Sequence, residues 1–540
     1  MDGGGGGGAA AAGQGLRSAA ANAVSWFLDR HVAEGRGAAP AFTDPWRGLT
    51  YAQLAEASAR LAGGLRAAGI GPERRLAMLM FDTGDFPVVF WGALRAGVVP
   101  VPVNTLLTPD QVAYVLEDSR AEAVCLSAPL LPALRPVLAR AAPRLRRVLV
   151  AAADGGAVAE LPAGAEALPA FLAAAPPAPE AEPASPDEVA FWLYSSGSTG
   201  APKGVKHVHS SLRATADTYA ARVLGITPDD LVFSAAKLFF AYGLGNAMTF
   251  PMAVGAAAVL LPDRPTPEAV LAVMRARRPT VFCGVPTLYA GLLAHPGGLR
   301  RGAGSDRLRR CVSAGEALPE HIGRAWEGAV GTEILDGIGS TEMLHIFLSN
   351  RPGAVRHGTT GVAVPGYDLR IVDEADRDLP PGEVGELLVR GPSAAEGYWN
   401  QRDKSRRTFQ GEWTRTGDKY VRDEAGCYRY QGRADDMFKV SGIWVSPFEV
   451  EAALASHPAV QEAAVVGRED ADGLTKPMAF VVLKPGASAE VEALQAHVKA
   501  QAGPWKYPRW MEFVDDLPKT ATGKIQRFRL RAGLGGAAPP

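Results

Sequence analysis

The stretch Tyr194-Ser195-Ser196-Gly197-Ser198-Thr199-Gly200-Ala201-Pro202-Lys203-Gly204, entered from the apolar residues 189–193, is a hydroxyl- and glycine-rich loop carrying one lysine. Backbone N–H groups of such a loop can come close to phosphate oxygens, Ser and Thr hydroxyls add donors, and Lys203 adds a point charge. It reads as a polyphosphate cradle. The lysine follows a proline and precedes a glycine, with no Ser or Thr after it to hold magnesium, so the G-x-x-x-x-G-K-[ST] loop of the P-loop NTPases is excluded.

Working outward, short β-branched runs at residues 75–80, 98–103, 148–151 and 280–285 alternate with longer Ala/Leu/Arg segments of helical period such as 267–278. That alternation predicts α/β layers built on largely parallel sheets. Residues 151–186, heavy in Ala, Pro and Glu, predict a surface excursion that delivers the chain to the phosphate loop. After Asp368 the character changes to shorter strands (368–372, 385–390) broken by Gly and Pro, which predicts a small β-rich subdomain. Ser446-Pro447-Phe448-Glu449 has the form of a capping box with proline at the first helical position, opening a new α+β pattern. A boundary is expected at Asp435.

The 540 residues are too many for one core and suggest about three structural units. The 56 basic and 57 acidic residues nearly cancel, with no block of like charge to suggest a nucleic-acid or membrane-surface partner. Four widely spaced cysteines, Cys125, Cys283, Cys311 and Cys427, indicate neither a disulfide framework nor a zinc site, and fit a reducing, cytoplasmic setting. Residues 1–15 are Gly/Ala-rich without the basic and apolar regions of a signal peptide, and are expected as part of a disordered tail.

Four further segments complete a pattern. They are Ser313-Ala-Gly-Glu-Ala-Leu-Pro319, Asp336-Gly-Ile-Gly-Ser-Thr-Glu342, Thr416-Gly417-Asp418 followed by Gly432-Arg433, and Pro518-Lys519-Thr-Ala-Thr-Gly-Lys524. Together with the phosphate loop, and in this order, they resemble the adenylate-forming superfamily of acyl-CoA synthetases over nearly all of residues 20–531. The resemblance implies a disordered tail over 1–20, a large N-terminal AMP- and acyl-binding domain over 21–434 made of layered α/β subdomains plus the β-rich one, and a small mobile α+β lid over 435–540 hinged at Asp435. It implies ATP, CoA and Mg²⁺ as cofactors and co-substrates, and a monomer or homodimer.

By the same resemblance, Ser195, Ser196, Gly197, Thr199 and Lys203 would hold phosphates, Gly315, Glu316 and Ala317 would border the adenine, and Asp336 would open the nucleotide and metal loop. Thr341 would donate to the α-phosphate and Glu342 would bind Mg²⁺, a hard cation that prefers carboxylate and phosphate oxygens. Asp418 would accept from both ribose hydroxyls, with Arg433 adding a donor. Lys524 would reach in from the lid to stabilise charge during carboxylate attack on the α-phosphorus. Lys439 would serve thioester formation, beside a pantetheine channel where Gly442 leaves room.

The acyl pocket would draw on Lys237-Leu-Phe-Phe-Ala-Tyr-Gly-Leu-Gly-Asn246 and on residues around Glu342. Amino-acid-activating relatives carry an aspartate where Ala241 stands, and without it a substrate ammonium would be buried unpaired. Phe240, Ala241, Tyr242, Gly243, Ile338 and His345 would form a short, flat, apolar slot. This text is closest to benzoate-CoA ligases and implies a monocyclic aryl carboxylate. The rivals are a medium-chain fatty acyl-CoA ligase, since apolar pockets discriminate by only about 1 to 3 kcal/mol per methylene, an aryl-acid activator that loads a carrier protein, and a catalytically silent adenylate-binding relative.

Overall fold

Parallel strands need crossovers, and the predicted alternation supplies them twice. The computed structural model describes the chain apart from residues 1–16, 153–155, 157, 159, 196–201, 301–305, 434–435, 441–442, 471–473, 504–505, 520–524 and 535–540, and describes only the backbone of 439, 443, 444 and 534. Val99–Pro102, Arg75–Leu79, Ala123–Ser127, Arg147–Ala151 and Ala165–Ala167 form one five-stranded, all-parallel sheet in that order. The helix Asp85–Arg95 is buried along its whole length beneath Tyr51–Ala67, whose start is closed by a reciprocal Thr50/Gln53 capping box.

The second sheet has nine strands. Its middle is parallel, running Ile334–Gly339, Arg310–Ser313, Val281–Gly284, Leu231–Ser234, Ala257–Val259 and Pro40–Thr43, with antiparallel strands added at both ends. Strands buried on both faces read as continuous apolar runs, as Val281–Gly284 does. Val189–Ser195, Lys203–Val208 and Gly397–Tyr398 make a separate three-stranded antiparallel sheet, and the loop sequence 196–202 lies between its first two strands in the chain. The expected β-rich subdomain is a five-stranded antiparallel sheet that includes Asp368–Val372, Val384–Arg390, Trp413–Arg422 and Tyr428–Arg433. Beyond it, Val460–Glu469, Thr475–Leu483 and Trp510–Phe513 form a sheet accompanied by the helices Pro447–Ala455, Val491–Ala502 and Arg527–Leu534.

Three expectations are corrected. The segment 151–186 is not a mere excursion: Ala165–Ala167 extends the first sheet, and Leu168–Ala174 buries Leu168 and Phe171. A Cβ placed on Gly64 would stand 2.5 Å from the Phe171 ring, so that glycine seats the helix. Two apolar residues one turn apart among alanines were too weak a periodicity to read. The Ser446 box is half made: Ser446 Oγ accepts from the Glu449 N–H at 3.2 Å, but the Glu449 carboxylate turns to Lys506 Nζ, 2.6 Å from both oxygens. Of the expected tail, residues 1–16 lie outside the described residues, whereas Ser18 exchanges backbone hydrogen bonds with Ala184 and Arg17 pairs with Glu188. The boundary residue Asp435 also lies outside them. Among the described residues, no helix is long and apolar enough to cross a membrane, and the four cysteines are free.

Candidate active site

Ligands of open α/β sheets gather beyond the carboxyl ends of the parallel strands. There the loop after Arg310–Ser313, carrying Gly315, Glu316 and Ala317, lies beside Asp336, since Ser313 and Asp336 are register partners. Asp336 is buried, and burial pushes its carboxyl well above the ordinary range. Its Oδ1 has no hydrogen-bond partner.

The phosphate hairpin brings its lysine onto the neighbouring loop. Ser195 and Lys203 face each other across the hairpin, and the Ser195 hydroxyl is buried without a partner, as a donor awaiting an anion would be. Ser196, Gly197 and Thr199 lie outside the described residues. Lys203 Nζ donates to Glu342 Oε1 and to Tyr398 Oη, each at 2.8 Å, and sits 4.1 Å from the Tyr398 ring centre. Tyr398 Oη in turn donates to the same Glu342 oxygen at 2.8 Å. Burial works to raise the Glu342 pKa, but the charge and hydrogen bond of Lys203, with that of Tyr398, outweigh it and hold the carboxyl below its usual value.

The loop bearing Thr341 and Glu342 is fixed from outside at three successive carbonyls. Thr341 O accepts from His207 Nε2 at 2.8 Å, Glu342 O from the Ala395 N–H at 2.8 Å, and Met343 O from Ser393 Oγ at 2.7 Å. Leu344, next along, takes a positive φ of 63°, a backbone strain that this web of bonds sustains. His207 is wholly buried, stacked on Phe191 at 5.2 Å, and burial lowers its pKa to about 4. A carbonyl can only accept, so Nε2 carries the proton, and Nδ1 is left without a partner.

On the antiparallel sheet, Asp418 and Arg433 are register partners. Arg433 Nη1 donates to Asp418 Oδ1 and to Thr416 O, both at 3.1 Å. Gly417 turns the chain there with φ 70°, and a Cβ would stand 3.0 Å from the guanidinium, so glycine is required on both counts. The structure thus brings Asp418 and Arg433 together.

The slot residues converge less uniformly. Phe240, Ala241 and Tyr242 are half-buried around the start of the helix Ala241–Leu244, and Ile338 is half-buried on Ile334–Gly339. The Tyr242 hydroxyl lies 3.1 Å from both Gly284 O and Val312 O, so it pins two sheet strands and leaves only its ring to a ligand. Gly243 is buried against backbone, where a Cβ would come 2.0 Å from Lys237 O, so no larger residue fits there. His345 is 3% exposed, its ring 4.4 Å from that of Phe250 and 5.7 Å from Tyr242, and burial lowers its pKa to about 3. Its Nδ1 has no partner, nor does either amide atom of the buried Asn246.

Lys524 and Gly442 lie outside the described residues, and only the backbone of Lys439 is described, in the strand Phe438–Val440. Sequence reasoning missed Tyr398, His207 and Asn246. Tyr398 stands in Gly397-Tyr-Trp399 and His207 in an ordinary alternating strand, and neither text carries a motif. Only the sheet pairing of Gly397–Tyr398 with Lys203–Val208 brings Tyr398 to Lys203.

Comparison with known proteins bears on this arrangement. Residues 29–399 match the AMP-binding enzyme model, and residues 449–524 match the AMP-binding enzyme C-terminal domain. The chain belongs to the AMP-binding enzyme family. Within that family it is 53% identical over 516 residues to the 4-hydroxybenzoate-CoA/benzoate-CoA ligase of Rhodopseudomonas palustris, covering 94% of each chain. It is 54% identical over 517 residues to the benzoate-CoA ligase of Thauera aromatica, covering 95% of this chain and 96% of the other. The crystal structure of a benzoate CoA ligase from Burkholderia xenovorans LB400 superposes with a TM-score of 0.87 at 50% identity, over 94% of this AMP-binding enzyme and 99% of that chain.

Proposed function

We propose that this AMP-binding enzyme is an acid-thiol ligase that joins benzoate or a ring-substituted benzoate to CoA through an aroyl-adenylate, releasing AMP and pyrophosphate. The observation that carries the reading is that Ile338, expected at the acyl slot, shares one strand-to-loop segment with Glu342 of the Lys203–Glu342–Tyr398 cluster, while Ala241 rather than a carboxylate opens the helix Ala241–Leu244. Ile338 at the slot and Glu342 at the cluster are four residues apart in the chain. An uncharged ring and a phosphate-bearing nucleotide can be held side by side there.

The roles follow from the chemistry of each group. Two anions, the aryl carboxylate and the α-phosphate, must approach one another, so cations and N–H donors have to be in place beforehand. Ser195, Ser196, Gly197, Thr199 and Lys203 hold the phosphates, and Lys203 exchanges its carboxylate partner for phosphate oxygens when ATP enters. Thr341 donates to the α-phosphate, Gly315, Glu316 and Ala317 border the base, Asp336 opens the nucleotide and metal loop, and Asp418 with Arg433 holds the ribose. Glu342 is the residue that would hold Mg²⁺, which supplies charge neutralisation to the phosphates. Its fit rests on chemistry: a carboxylate kept ionised beside the lysine of the phosphate loop, as a single hard-oxygen donor. One protein carboxylate plus substrate oxygens is the usual setting for that cation.

Lys524, brought in by the C-terminal unit, aims its charge at the equatorial oxygens during adenylation. Rotation of that unit about Asp435 then presents Lys439 and Gly442 to the pantetheine arm for thiol attack on the aroyl carbonyl. The test is AMP release, with and without CoA, across benzoate, 2-, 3- and 4-hydroxybenzoate, 2-aminobenzoate, hexanoate and phenylalanine. CoA-dependent turnover of benzoate or a ring-substituted relative is expected. Preference for hexanoate, or pyrophosphate release that never becomes CoA-dependent, would overturn the reading.

A further inference from the structure

Two bonds tie the phosphate strand Lys203–Val208 to the loop that carries Thr341 and Glu342, and they differ in kind. One is the side-chain contact from Lys203 to Glu342 Oε1. The other is the 2.8 Å hydrogen bond from His207 Nε2 to the backbone oxygen of Thr341. When a polyphosphate enters, the first is open to exchange, because phosphate oxygens compete with the carboxylate for Lys203. The second ends on a backbone oxygen, which no phosphate competes for. It can therefore hold the loop in register through the exchange.

The chemistry of His207 favours this role over simple core filling. Its Nδ1 is buried with no partner, a state less favourable than a satisfied or an apolar group would be. Leucine would fill the same space without that cost. What histidine adds is one donor, rigidly aimed by stacking on Phe191 with the ring planes 20° apart. The neighbouring carbonyls of Glu342 and Met343 are held by Ala395 N–H and Ser393 Oγ, which come from a different segment. His207 is thus the hydrogen bond among these three that links this loop to the phosphate hairpin itself.

We propose that His207 is a positioning residue for the nucleotide: through its bond to the Thr341 carbonyl it fixes the Thr341–Glu342 dipeptide relative to the phosphate loop. The inference rests on the reading of Thr341 and Glu342 as phosphate and metal contacts. It does not depend on which acid is activated.

The test compares His207→Gln, His207→Asn and His207→Leu. The glutamine amide reaches the place of Nε2 and can donate, the asparagine amide reaches only the place of Nδ1, and leucine donates nothing. Equilibrium binding of MgATP to the full chain is measured by calorimetry, alongside KM for benzoate and the rate of thioester formation from supplied benzoyl-adenylate. Groups that orient a metal-binding residue typically cost about 10- to 100-fold in affinity when removed, so MgATP binding should weaken by that factor in the Leu and Asn variants. The Gln variant should recover most of the loss, with benzoate KM and the thioester step nearly unchanged in all three. Should the Leu variant fail to fold, the Gln and Asn pair decides. Equal MgATP affinity in the Gln and Asn variants, or a loss spread evenly over MgATP, benzoate and thioester formation, would overturn the proposal. Failure of the wild-type chain to bind MgATP would instead overturn the functional reading.

Discussion

Two polar groupings lie a few residues apart around the segment 338–345, and they are opposites. In the Lys203–Glu342–Tyr398 cluster a positive and a negative charge are paired and a phenol closes the triangle with contacts of 2.8 Å. In the slot wall, His345 Nδ1 and both amide atoms of Asn246 are buried without any partner, and the one contact of His345 Nε2, to Tyr242 O, is long at 3.4 Å. The first region is compensated before any ligand arrives, so ligand binding there is an exchange of partners. The second is under-satisfied, so a ligand or a water can only add hydrogen bonds. Charge must be neutralised at all times, whereas neutral polar atoms can tolerate a cost of about 1 to 3 kcal/mol each until they are used.

The sharpest way to break this contrast is to remove one charge. Lys203→Met should lower the adenylation rate by about 10² to 10³-fold, read as pyrophosphate release in a single turnover. It should also destabilise the ligand-free chain, because Glu342 is left partly buried and unpaired. The double variant Lys203→Met/Glu342→Gln should regain stability in a urea titration without regaining activity, since the pair rather than either group is compensated. If the double variant is as unstable as the single, the cluster is not a charge pair in the sense argued.

Tyr398→Phe probes the same cluster more gently. The Lys203–Glu342 contact remains, so the expected loss is that of hydrogen bonds to charged partners, about 1.5 to 3 kcal/mol of ligand-free stability, well below a full loss of function. Stability equal to wild type would mean the phenol adds nothing to the pair.

His345→Leu should have the smallest effect on stability, because it removes an unsatisfied group of similar volume. Preference for hydroxybenzoates over benzoate should fall by up to about tenfold, the worth of one hydrogen bond. The pH dependence of unfolding gives an independent reading. The His345 pKa is depressed to about 3 in the folded chain, against about 6.5 when unfolded. Between those values the unfolded chain binds the extra proton, so this contribution is fully present above pH 6.5 and is lost as pH falls, by about 1.4 kcal/mol per unit. The leucine variant should lose that slope of unfolding free energy against pH. Because buried His207 adds its own slope in this window, the variant should show a smaller slope than wild type, and an unchanged slope would show that His345 does not stay neutral.

How much of this was legible beforehand can be argued residue by residue. Asp418, Arg433 and the motifs at Ser313, Asp336 and Thr341 were named from the family resemblance; the structure brings them together because a β-hairpin makes register partners of Asp418 and Arg433 and because parallel strands end at the same edge of a sheet. That Gly243 must make room for the carbonyl of Lys237 was not legible, since a glycine beside aromatic residues looks the same whichever neighbour it accommodates. The strand Ala165–Ala167 and the helix Leu168–Ala174 were missed because each holds less than two periods of pattern.

The sequence by itself determined the family, the order of the motifs and the parallel α/β layering, because these rest on local residue types and on periodicities of two and 3.6. Only the tertiary structure decided that Lys203 meets a carboxylate 139 residues away and a phenol 195 residues away, that His207 holds the carbonyl of Thr341, and that the atoms of Asn246 are left unpaired. Those outcomes depend on which strands pair and in what register. A shift of one residue would turn Tyr398 to the other face of its sheet and leave the cluster without its third member.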